Sequence, residues 1–241
     1  MFKHNKLYLD PNLQQKNMDV LITGSTGMVG KSVLYECIKD DRINKIYLIN
    51  RSANGIKNLK ISELIIKDFF SVENIKSKIK NCDACFHCMG ITSFGNNKKH
   101  YYKVTYEMTK LITDLVYEIN PNAVMTYVSG EGTSAKENSK ISWANVKGKA
   151  ENYILNKGLK DSYMIRLGLL IPENGVKAKT RLYNFFYTMM TPFYPLMKMI
   201  PSITTSSKLG KAMINCIYFP LKDKYLDNRK INKLSSAHLK N

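Results

Sequence analysis

The sequence is poor in arginine, in acidic residues and in long apolar runs. Only five of its 37 basic residues are arginines, and the 19 acidic residues leave a net charge of +18. Nucleic-acid sites rely on arginine for bidentate contacts to bases and phosphates, and the lysines here are spread along the whole chain. The composition therefore favours a solvated lysine-rich surface over an anionic partner, and nucleic-acid binding is the least favoured function.

No apolar run predicts a membrane-spanning helix. Such a helix needs roughly 20 mostly apolar residues, and the longest run, Leu182 to Ile200, is interrupted by Asn184, two prolines and Lys198. The stretch from Met1 to Asp19 is polar and basic, without a secretory signal. These features predict a cytoplasmic protein.

The five cysteines are an odd number, which predicts reduced thiols. Cys82, Cys85 and Cys88, with His87 among them, have the spacing of a small metal cluster. The segment also has the composition of a buried strand, on which successive side chains alternate between faces. Cys82 and Cys88 would then point one way and Cys85 the other, so we predict no metal site.

Short apolar runs alternate with amphipathic segments along the chain. The predicted strands are Val20–Thr23, Lys45–Asn50, Glu63–Lys67, Ala84–Cys88, Ala123–Ser129 and Ser162–Leu167. The predicted helices are Met28–Lys39, Val72–Lys80, Lys99–Ile119, Ser142–Asn156 and Ser207–Tyr218. Such alternation is typical of βαβ units. It predicts an α/β fold, a Rossmann-type doubly wound parallel sheet with helices on both faces and a small C-terminal substrate or lid region.

The composition divides the chain into three parts. Residues 1–18 form an N-terminal extension, residues 19–220 a single domain with a lid segment over about 172–206, and residues 221–241 a loose basic tail. No internal repeat or linker splits the chain further.

The most informative segment is the glycine-rich turn after the first predicted strand. Glycines allow a tight turn and a close approach of backbone N–H groups to a pyrophosphate at the positive end of a helix. We predict a dinucleotide site along this turn, formed by Gly24, Ser25, Thr26, Gly27, Met28, Val29 and Gly30. A P-loop is rejected because serine stands at position 25, where that motif needs glycine. The alternative is that the glycines serve only helix–strand packing.

The second predicted strand ends in Asn50-Arg51-Ser52. Sites that prefer NAD usually carry an acid here for the ribose 2′-hydroxyl, whereas an arginine accommodates the 2′-phosphate of NADP. The sequence therefore predicts NADP in preference to NAD, bound by Arg51. The alternative is an exposed arginine at a strand end.

With these motifs the chain resembles the short-chain dehydrogenase/reductase superfamily, most closely its atypical and extended members, the NAD-dependent epimerase/dehydratase-like proteins. The resemblance covers about Asp19 to Phe219. It rests on the glycine turn, Asp68-Phe69, Cys88-Met89-Gly90, Ser129-Gly130, Lys147-Gly148-Lys149-Ala150-Glu151 and Arg166-x-Gly168. It implies that Asp68 and Phe69 bind adenine and that Cys88, Met89 and Gly90 lie along the cofactor ribose.

The resemblance also implies catalysis by a serine, a tyrosine and a lysine, the last two being four residues apart. Ser129 and Lys147 stand where expected, but Trp143 replaces the tyrosine. An indole N–H donates a hydrogen bond and has no useful acid–base chemistry near neutral pH. Ser129, Lys147 and Trp143 are the predicted catalytic residues, and Lys147 is also expected to bind the nicotinamide ribose.

Other groups could supply the missing proton. Tyr106 and Lys110 show the same spacing, but they precede the fifth strand, where it indicates only neighbours on one helix face. A water molecule held at the site, Tyr183 and Tyr187 are further candidates.

The segment from Arg181 to Met199 is rich in aromatic and methionine side chains, which adapt to apolar ligands. It predicts a lid packed on the core, an apolar substrate pocket, or a membrane-surface contact helped by Lys177, Lys179, Arg181 and Lys198. The sequence thus predicts an NADP(H)-dependent oxidoreductase or epimerase-like enzyme acting on an apolar small molecule. The alternative is an inert NADP(H)-binding sensor or scaffold with a protein or membrane partner.

Overall fold

A computed structural model describes residues 17–176 and 187–237. Its strands are β1 (Met18–Thr23), β2 (Ile43–Asn50), β3 (Ile61–Ile65), β4 (Ala84–His87), β5 (Val124–Val128), β6 (Asp161–Ile165), β7 (Leu170–Ile171), β8 (Thr204–Thr205) and β9 (Tyr225–Leu226). Seven of them form one parallel sheet in the order β3-β2-β1-β4-β5-β6-β9, while β7 and β8 pair separately. The doubly wound parallel sheet predicted from the sequence is confirmed.

Helices cover both faces of this sheet. They are α1 (Met28–Lys39), α2 (Lys98–Tyr102), α3 (Met108–Ile119), α4 (Ser142–Leu155), α5 (Tyr194–Met197), α6 (Ser206–Tyr218) and α7 (Asn228–Ser235). Two 3-10 helices span Phe69–Lys78 and Thr191–Phe193, and a π-helical segment, Lys103–Glu107, joins α2 to α3. No helix within the described ranges is long and apolar enough to cross a membrane.

The apolar side chains of the central strands alternate between two cores. On β1, Val20 and Ile22 pack into one core with α1 and α6, whereas Leu21 packs into the other with α3 and α4. Because both faces are covered, these strands appear in the sequence as continuous apolar runs.

Residues 221–237 do not form a loose tail. Strand β9 pairs with β6 and adds the seventh strand, and α7 buries Ile231 and Leu234. Sequence patterns could not predict either element, because a two-residue strand shows no periodicity and α7 is otherwise polar. Residues 1–16 of the predicted extension and residues 177–186 of the predicted lid lie outside the described residues.

Two predicted helices differ in type. The helix expected over Val72–Lys80 is a 3-10 helix, and a short 3-10 turn from Phe69, which the Asp68 side chain caps, precedes it across a kink at Ser71. The long helix expected over Lys99–Ile119 is interrupted by the π-helical segment. Periodicity does not distinguish these helical forms over such short stretches.

Candidate functional site

The turn between β1 and α1 packs against the end of β4. Gly24 has a φ of +72°, and a Cβ atom there would lie 2.8 Å from the backbone nitrogen of Met89. A Cβ atom on Gly30 would lie 2.3 Å from the carbonyl oxygen of Gly24. Packing alone therefore requires glycine at positions 24 and 30. A ligand-binding role has to rest on what lies beside the turn.

A cavity of about 240 Å³ lies beside the turn, at the carboxyl ends of β1, β2 and β4. This is where the strand order reverses, the usual ligand position in doubly wound sheets. Gly27 caps α1 without a side-chain hydrogen bond, so the positive end of the helix dipole borders the cavity. Of the predicted cofactor residues, those lining the cavity are Gly24, Thr26, Gly27, Arg51, Phe69 and the Cys88–Gly90 turn.

The other predicted cofactor-binding residues near the glycine turn do not line the cavity. Ser25 is buried, and its hydroxyl donates to the Asn50 side chain at 2.9 Å, which ties the turn to β2. Met28 and Val29 pack against a core, and Gly30 serves the packing described above. One carboxylate oxygen of Asp68 accepts from the Phe70 backbone N–H at 3.0 Å.

Arg51 is exposed at the end of β2 and lines the cavity. Within the described residues it makes no hydrogen bond and no ion pair. The carboxylate of Glu63, on the neighbouring strand, accepts from the side chains of Asn50 and Asn54 at 2.6 and 2.9 Å. The guanidinium of Arg51 is therefore available to an anionic ligand.

Three cavity residues that sequence reasoning missed come from one helical face. His100, Val104 and Met108 follow each other at intervals of four residues, a spacing that places side chains on one side of a helix. The spacing was visible in the sequence, but nothing there indicated which helix reaches this end of the sheet.

A second group of predicted residues lies at the end of β5, outside the cavity lining. The ammonium of Lys147 makes a long hydrogen bond of 3.4 Å to the Val128 carbonyl and lies 5.4 Å from the centre of the Tyr127 ring. Burial lowers the pKa of Lys147 to about 8. The carboxylate that favours its charge, Glu151, is held bidentately by Arg166. Lys147 is therefore a hydrogen-bond donor that loses its proton more readily than an ordinary lysine.

Below Lys147 lies His87, a buried histidine that sequence reasoning missed. Its Nε2 lies 3.0 Å from the hydroxyl of Thr109, and its Nδ1 lies 2.7 Å from the hydroxyl of Thr23. The Thr109 hydroxyl donates to the Thr105 carbonyl, so we assign the ring proton to Nε2 and let Nδ1 accept. Burial, and then the charge of Lys147, lower the pKa of His87 to about 3. The imidazole of His87 is therefore neutral, and its two hydrogen bonds link β4 to β1 and α3.

The hydroxyl of Ser129 is engaged within the protein. It lies 2.9 Å from the Thr133 hydroxyl, which in turn donates to the Gly130 carbonyl at 2.7 Å. Because Thr133 has only one proton to give, Ser129 is the donor of this pair. The Ser129 oxygen can still accept a hydrogen bond, but its proton is committed.

The indole of Trp143 packs over the loop that follows β5. Its ring carbons would lie 3.9 Å from a Cβ atom on Gly130 and 3.6 Å from one on Gly132. Trp143 precedes Lys147 by one turn of α4. The structure thus brings the three predicted catalytic residues to one end of β5.

The described residues among the other candidate proton donors make contacts away from Ser129 and Lys147. Lys110 donates to Asp114 at 2.8 Å, and the Tyr106 ring lies 5.2 Å from that of Tyr102. Tyr183 lies outside the described residues, and the backbone carbonyl of Tyr187 accepts from Tyr194 at 2.7 Å.

The clustered cysteines do not alternate as predicted. Cys82 shares a core with Cys85, and Cys88 packs against the other core. The strand begins only at Ala84, so its alternation does not extend to Cys82. The described ranges contain no group of three or more histidine, cysteine or acidic residues that could hold a metal ion.

Comparison with known families and curated proteins gives three similarities. The model of the NAD dependent epimerase/dehydratase family matches residues 20–165. Protein FMP52, mitochondrial, from Meyerozyma guilliermondii is 27% identical over 186 residues, 75% of each chain. Protein FMP52-1, mitochondrial, from Scheffersomyces stipitis is 26% identical over 162 residues, 65% of this chain and 69% of the relative.

Solved structures share the fold at low identity. A thiolation-reductase di-domain from an archaeal non-ribosomal peptide synthetase has a TM-score of 0.67 at 16% identity, covering 88% of this chain and 70% of that chain. Helicobacter pylori ADP-L-glycero-D-manno-heptose-6-epimerase has a TM-score of 0.63 at 14% identity, covering 88% and 76%. Bordetella bronchiseptica WbmF, solved with NAD+, has a TM-score of 0.59 at 11% identity, covering 90% and 77%. The predicted Rossmann-type fold is confirmed.

The prediction of a cytoplasmic protein is wrong. Both curated relatives are named as mitochondrial proteins. The prediction rested on the missing secretory signal, which says nothing about other compartments.

Proposed function

The chain belongs to the NAD-dependent epimerase/dehydratase family, and from this premise we propose that it binds NADP(H) in the cavity beside the glycine turn. The observation that carries the proposal is Arg51, which is exposed, lines the cavity and has no partner within the described residues. Bidentate contacts between a guanidinium and a phosphate are strong. The second strand ends in Asn50 rather than in an acid, and the carboxylate of Glu63 beside it is engaged by the side chains of Asn50 and Asn54.

The residues around the cavity fit the adenosine side of such a cofactor. The cavity, at about 240 Å³, is smaller than the roughly 300–1,000 Å³ of sites that enclose a whole ligand. We assign the 2′-phosphate to Arg51, the pyrophosphate to the turn around Gly27, and the ribose to the Cys88–Gly90 turn. We assign adenine to Phe69, with Asp68 beside it. When bound, a nicotinamide dinucleotide supplies hydride transfer.

Calorimetric titration of wild type and Arg51→Ala with NADPH and with NADH tests this assignment. We expect NADPH to bind more tightly, and its Kd to rise about tenfold to hundredfold in Arg51→Ala, since a charged hydrogen bond contributes roughly 1.5–3 kcal/mol. The Kd of NADH stays unchanged. Arg229→Ala, which removes an exposed arginine from α7, is the matched control. Equal binding of both cofactors, insensitive to Arg51→Ala, contradicts the proposal.

For the reaction, we propose an oxidoreductase or epimerase-like activity on an apolar small molecule, with altered proton chemistry. The ammonium of Lys147 is a hydrogen-bond donor at the end of β5. The indole of Trp143 packs against the neighbouring loop and has no titratable group. The segment from Arg181 to Met199 is rich in aromatic and methionine residues, which adapt to apolar ligands.

The second candidate is an inert NADP(H)-binding sensor or scaffold. It is favoured by the engaged proton of Ser129 and by the indole of Trp143, which together leave no conventional proton relay. NADPH oxidation with apolar aldehydes and ketones, compared between wild type and Trp143→Tyr, separates the two. Turnover by wild type that is lost in Lys147→Ala supports the enzyme. Turnover by Trp143→Tyr alone supports the inert protein.

We also propose a mitochondrial location, because both curated relatives carry that location in their names. Fractionation of cells that express the full chain tests it. Recovery with a mitochondrial marker supports the location, and recovery only in the soluble cytosol contradicts it.

A further inference from the structure

The chain between residues 187 and 200 exposes an apolar stripe. Residues 187–190 are helical, and the 3-10 helix Thr191–Phe193 and α5 continue the segment. Met189, Phe193, Leu196 and Ile200 are 54, 57, 66 and 45% exposed. The spacing of Met189, Phe193 and Leu196 by four and three residues places them on one side of the helical segment, and Ile200 follows in the turn after α5. We call these four residues the outer stripe.

The opposite side of the same segment anchors it to the protein. Tyr187, Met190, Tyr194 and Met197 are half-buried, and the Tyr194 hydroxyl donates to the Tyr187 carbonyl. Lys198 makes an ion pair of 2.6 Å with Glu173, in the loop after β7. The inner face is therefore less exposed than the outer stripe, the pair of Lys198 and Glu173 ties the segment to the protein, and packing does not account for apolar residues on the outer stripe.

The stretch of sequence that contains the outer stripe carries charge of one sign. From Asn174 to Lys222 the sequence contains no acidic residue and seven basic ones. Those within the described residues are Lys198, Lys208, Lys211 and Lys222. Contiguous exposed apolar side chains mark contacts with proteins or membranes. A stripe of them in a basic, acid-free segment has the chemistry of a surface that lies on anionic lipid.

We propose that the outer stripe docks the protein on an anionic phospholipid surface. The four apolar side chains enter the boundary between headgroups and acyl chains, and the net charge of +18 attracts the protein to the lipid phosphates. A second copy of this chain fits the stripe less well, because pairing would bring two acid-free basic segments together, and like charges at an interface disfavour association. The proposal does not depend on NADP(H) binding.

Sedimentation of the full chain with vesicles tests the proposal. The vesicles consist of phosphatidylcholine, alone or mixed with phosphatidylserine. We expect wild type to sediment with the anionic vesicles only. The double variant Phe193→Ser/Leu196→Ser keeps every charge, and its partition coefficient should fall about tenfold or more, because apolar burial contributes alongside charge.

The matched control is Leu59→Ser/Phe94→Ser, which removes two side chains that are 99 and 87% exposed outside the stripe. It should bind like wild type. All four positions are exposed, and circular dichroism verifies that both variants fold. Equal binding of the stripe variant and wild type overturns the proposal, since charge alone then holds the protein. Failure of wild type to bind anionic vesicles also overturns it, as does a dimer that the stripe variant converts to monomer.

Fluorescence quenching gives a second readout. Trp143 is the only native tryptophan, and it lies on α4 rather than on the stripe. Brominated lipids should quench the added emission of Phe193→Trp and leave the wild-type emission unchanged. An unquenched Phe193→Trp in sedimented protein overturns insertion of the stripe.

Discussion

The two ends of the candidate site differ in how far their polar groups are already engaged. At the end formed by β1, β2 and β4, Arg51 has no partner within the described residues, and the first turn of α1 lacks a side-chain cap. At the end formed by β5 and α4, the Ser129 proton is committed, and His87, at the end of the neighbouring strand β4, has both ring nitrogens bonded. Ligand binding needs available donors, whereas proton transfer needs a group that can lose and regain a proton. The architecture thus supports binding more fully than turnover.

The largest expected effect comes from adding a methyl group to the glycine turn, at the end formed by β1, β2 and β4. Gly24→Ala places a methyl group 2.8 Å from the Met89 backbone at a positive φ. We expect the free energy of unfolding to fall by about 3 kcal/mol or more, from backbone strain and overpacking together. NADPH binding should be lost as well. Urea unfolding and calorimetry measure the two effects.

Gly55→Ala is the control for this change. Gly55 has a φ of +77°, and a Cβ atom there meets nothing within 4 Å. Gly55→Ala therefore introduces backbone strain without a steric clash. A loss of about 1 kcal/mol with normal NADPH binding is expected. Equal losses in the two variants would show that the close approach to β4 does not matter.

The next effect concerns acid stability at the β5 end. The pKa of His87 is lowered to about 3 in the folded protein, against about 6.5 when unfolded. The unfolded chain therefore binds the additional proton first, and stability falls as the pH drops below 6.5. From pH 7 to pH 5 the loss should be about 2 kcal/mol from this residue. Chemical unfolding of wild type and His87→Gln measures it, and identical slopes in the two proteins would contradict the buried neutral ring.

A smaller effect is expected from Lys147. Its folded pKa of about 8 lies below the ordinary value of 10.5, so the charged form is disfavoured in the folded protein. This shift corresponds to about 3 kcal/mol at pH 7, and the loss of the hydrogen bond to Val128 and of the contact with the Tyr127 ring offsets about 2 kcal/mol of it. Lys147→Met should therefore be more stable than wild type by about 1 kcal/mol at pH 7. This difference should fall and change sign as the pH rises through 8 towards 10.5. A constant difference across that range would mean that Lys147 keeps an ordinary pKa.

The sequence predicted the sheet because each central strand is covered on both faces and therefore consists of a continuous apolar run. It predicted the position of the glycine turn because the spacing of three glycines between a strand and a helix has few other causes. It assigned Ser25 to the dinucleotide site, whereas the hydroxyl of Ser25 is turned inward to Asn50. The burial of one turn residue depends on a strand that ends 25 residues away.

The β5 end was less accessible to sequence reasoning. Ser129 was selected as a donor, but its proton is directed to Thr133, a local arrangement that no motif encodes. His87 lies within the cysteine cluster and attracted attention only as a metal ligand. Its role depends on Thr23 and Thr109 from two other elements, which only the folded chain brings together.

Titration with NADPH while the emission of Trp143 is followed tests the central claim most directly, because this residue is the only tryptophan and lies at the β5 end. A cofactor held by Arg51 that extends from the binding end to the β5 end should quench this emission saturably. NADH should require a higher concentration, and Arg51→Ala should weaken the response to NADPH alone. Unchanged emission, with no heat of binding for either cofactor, would contradict the account.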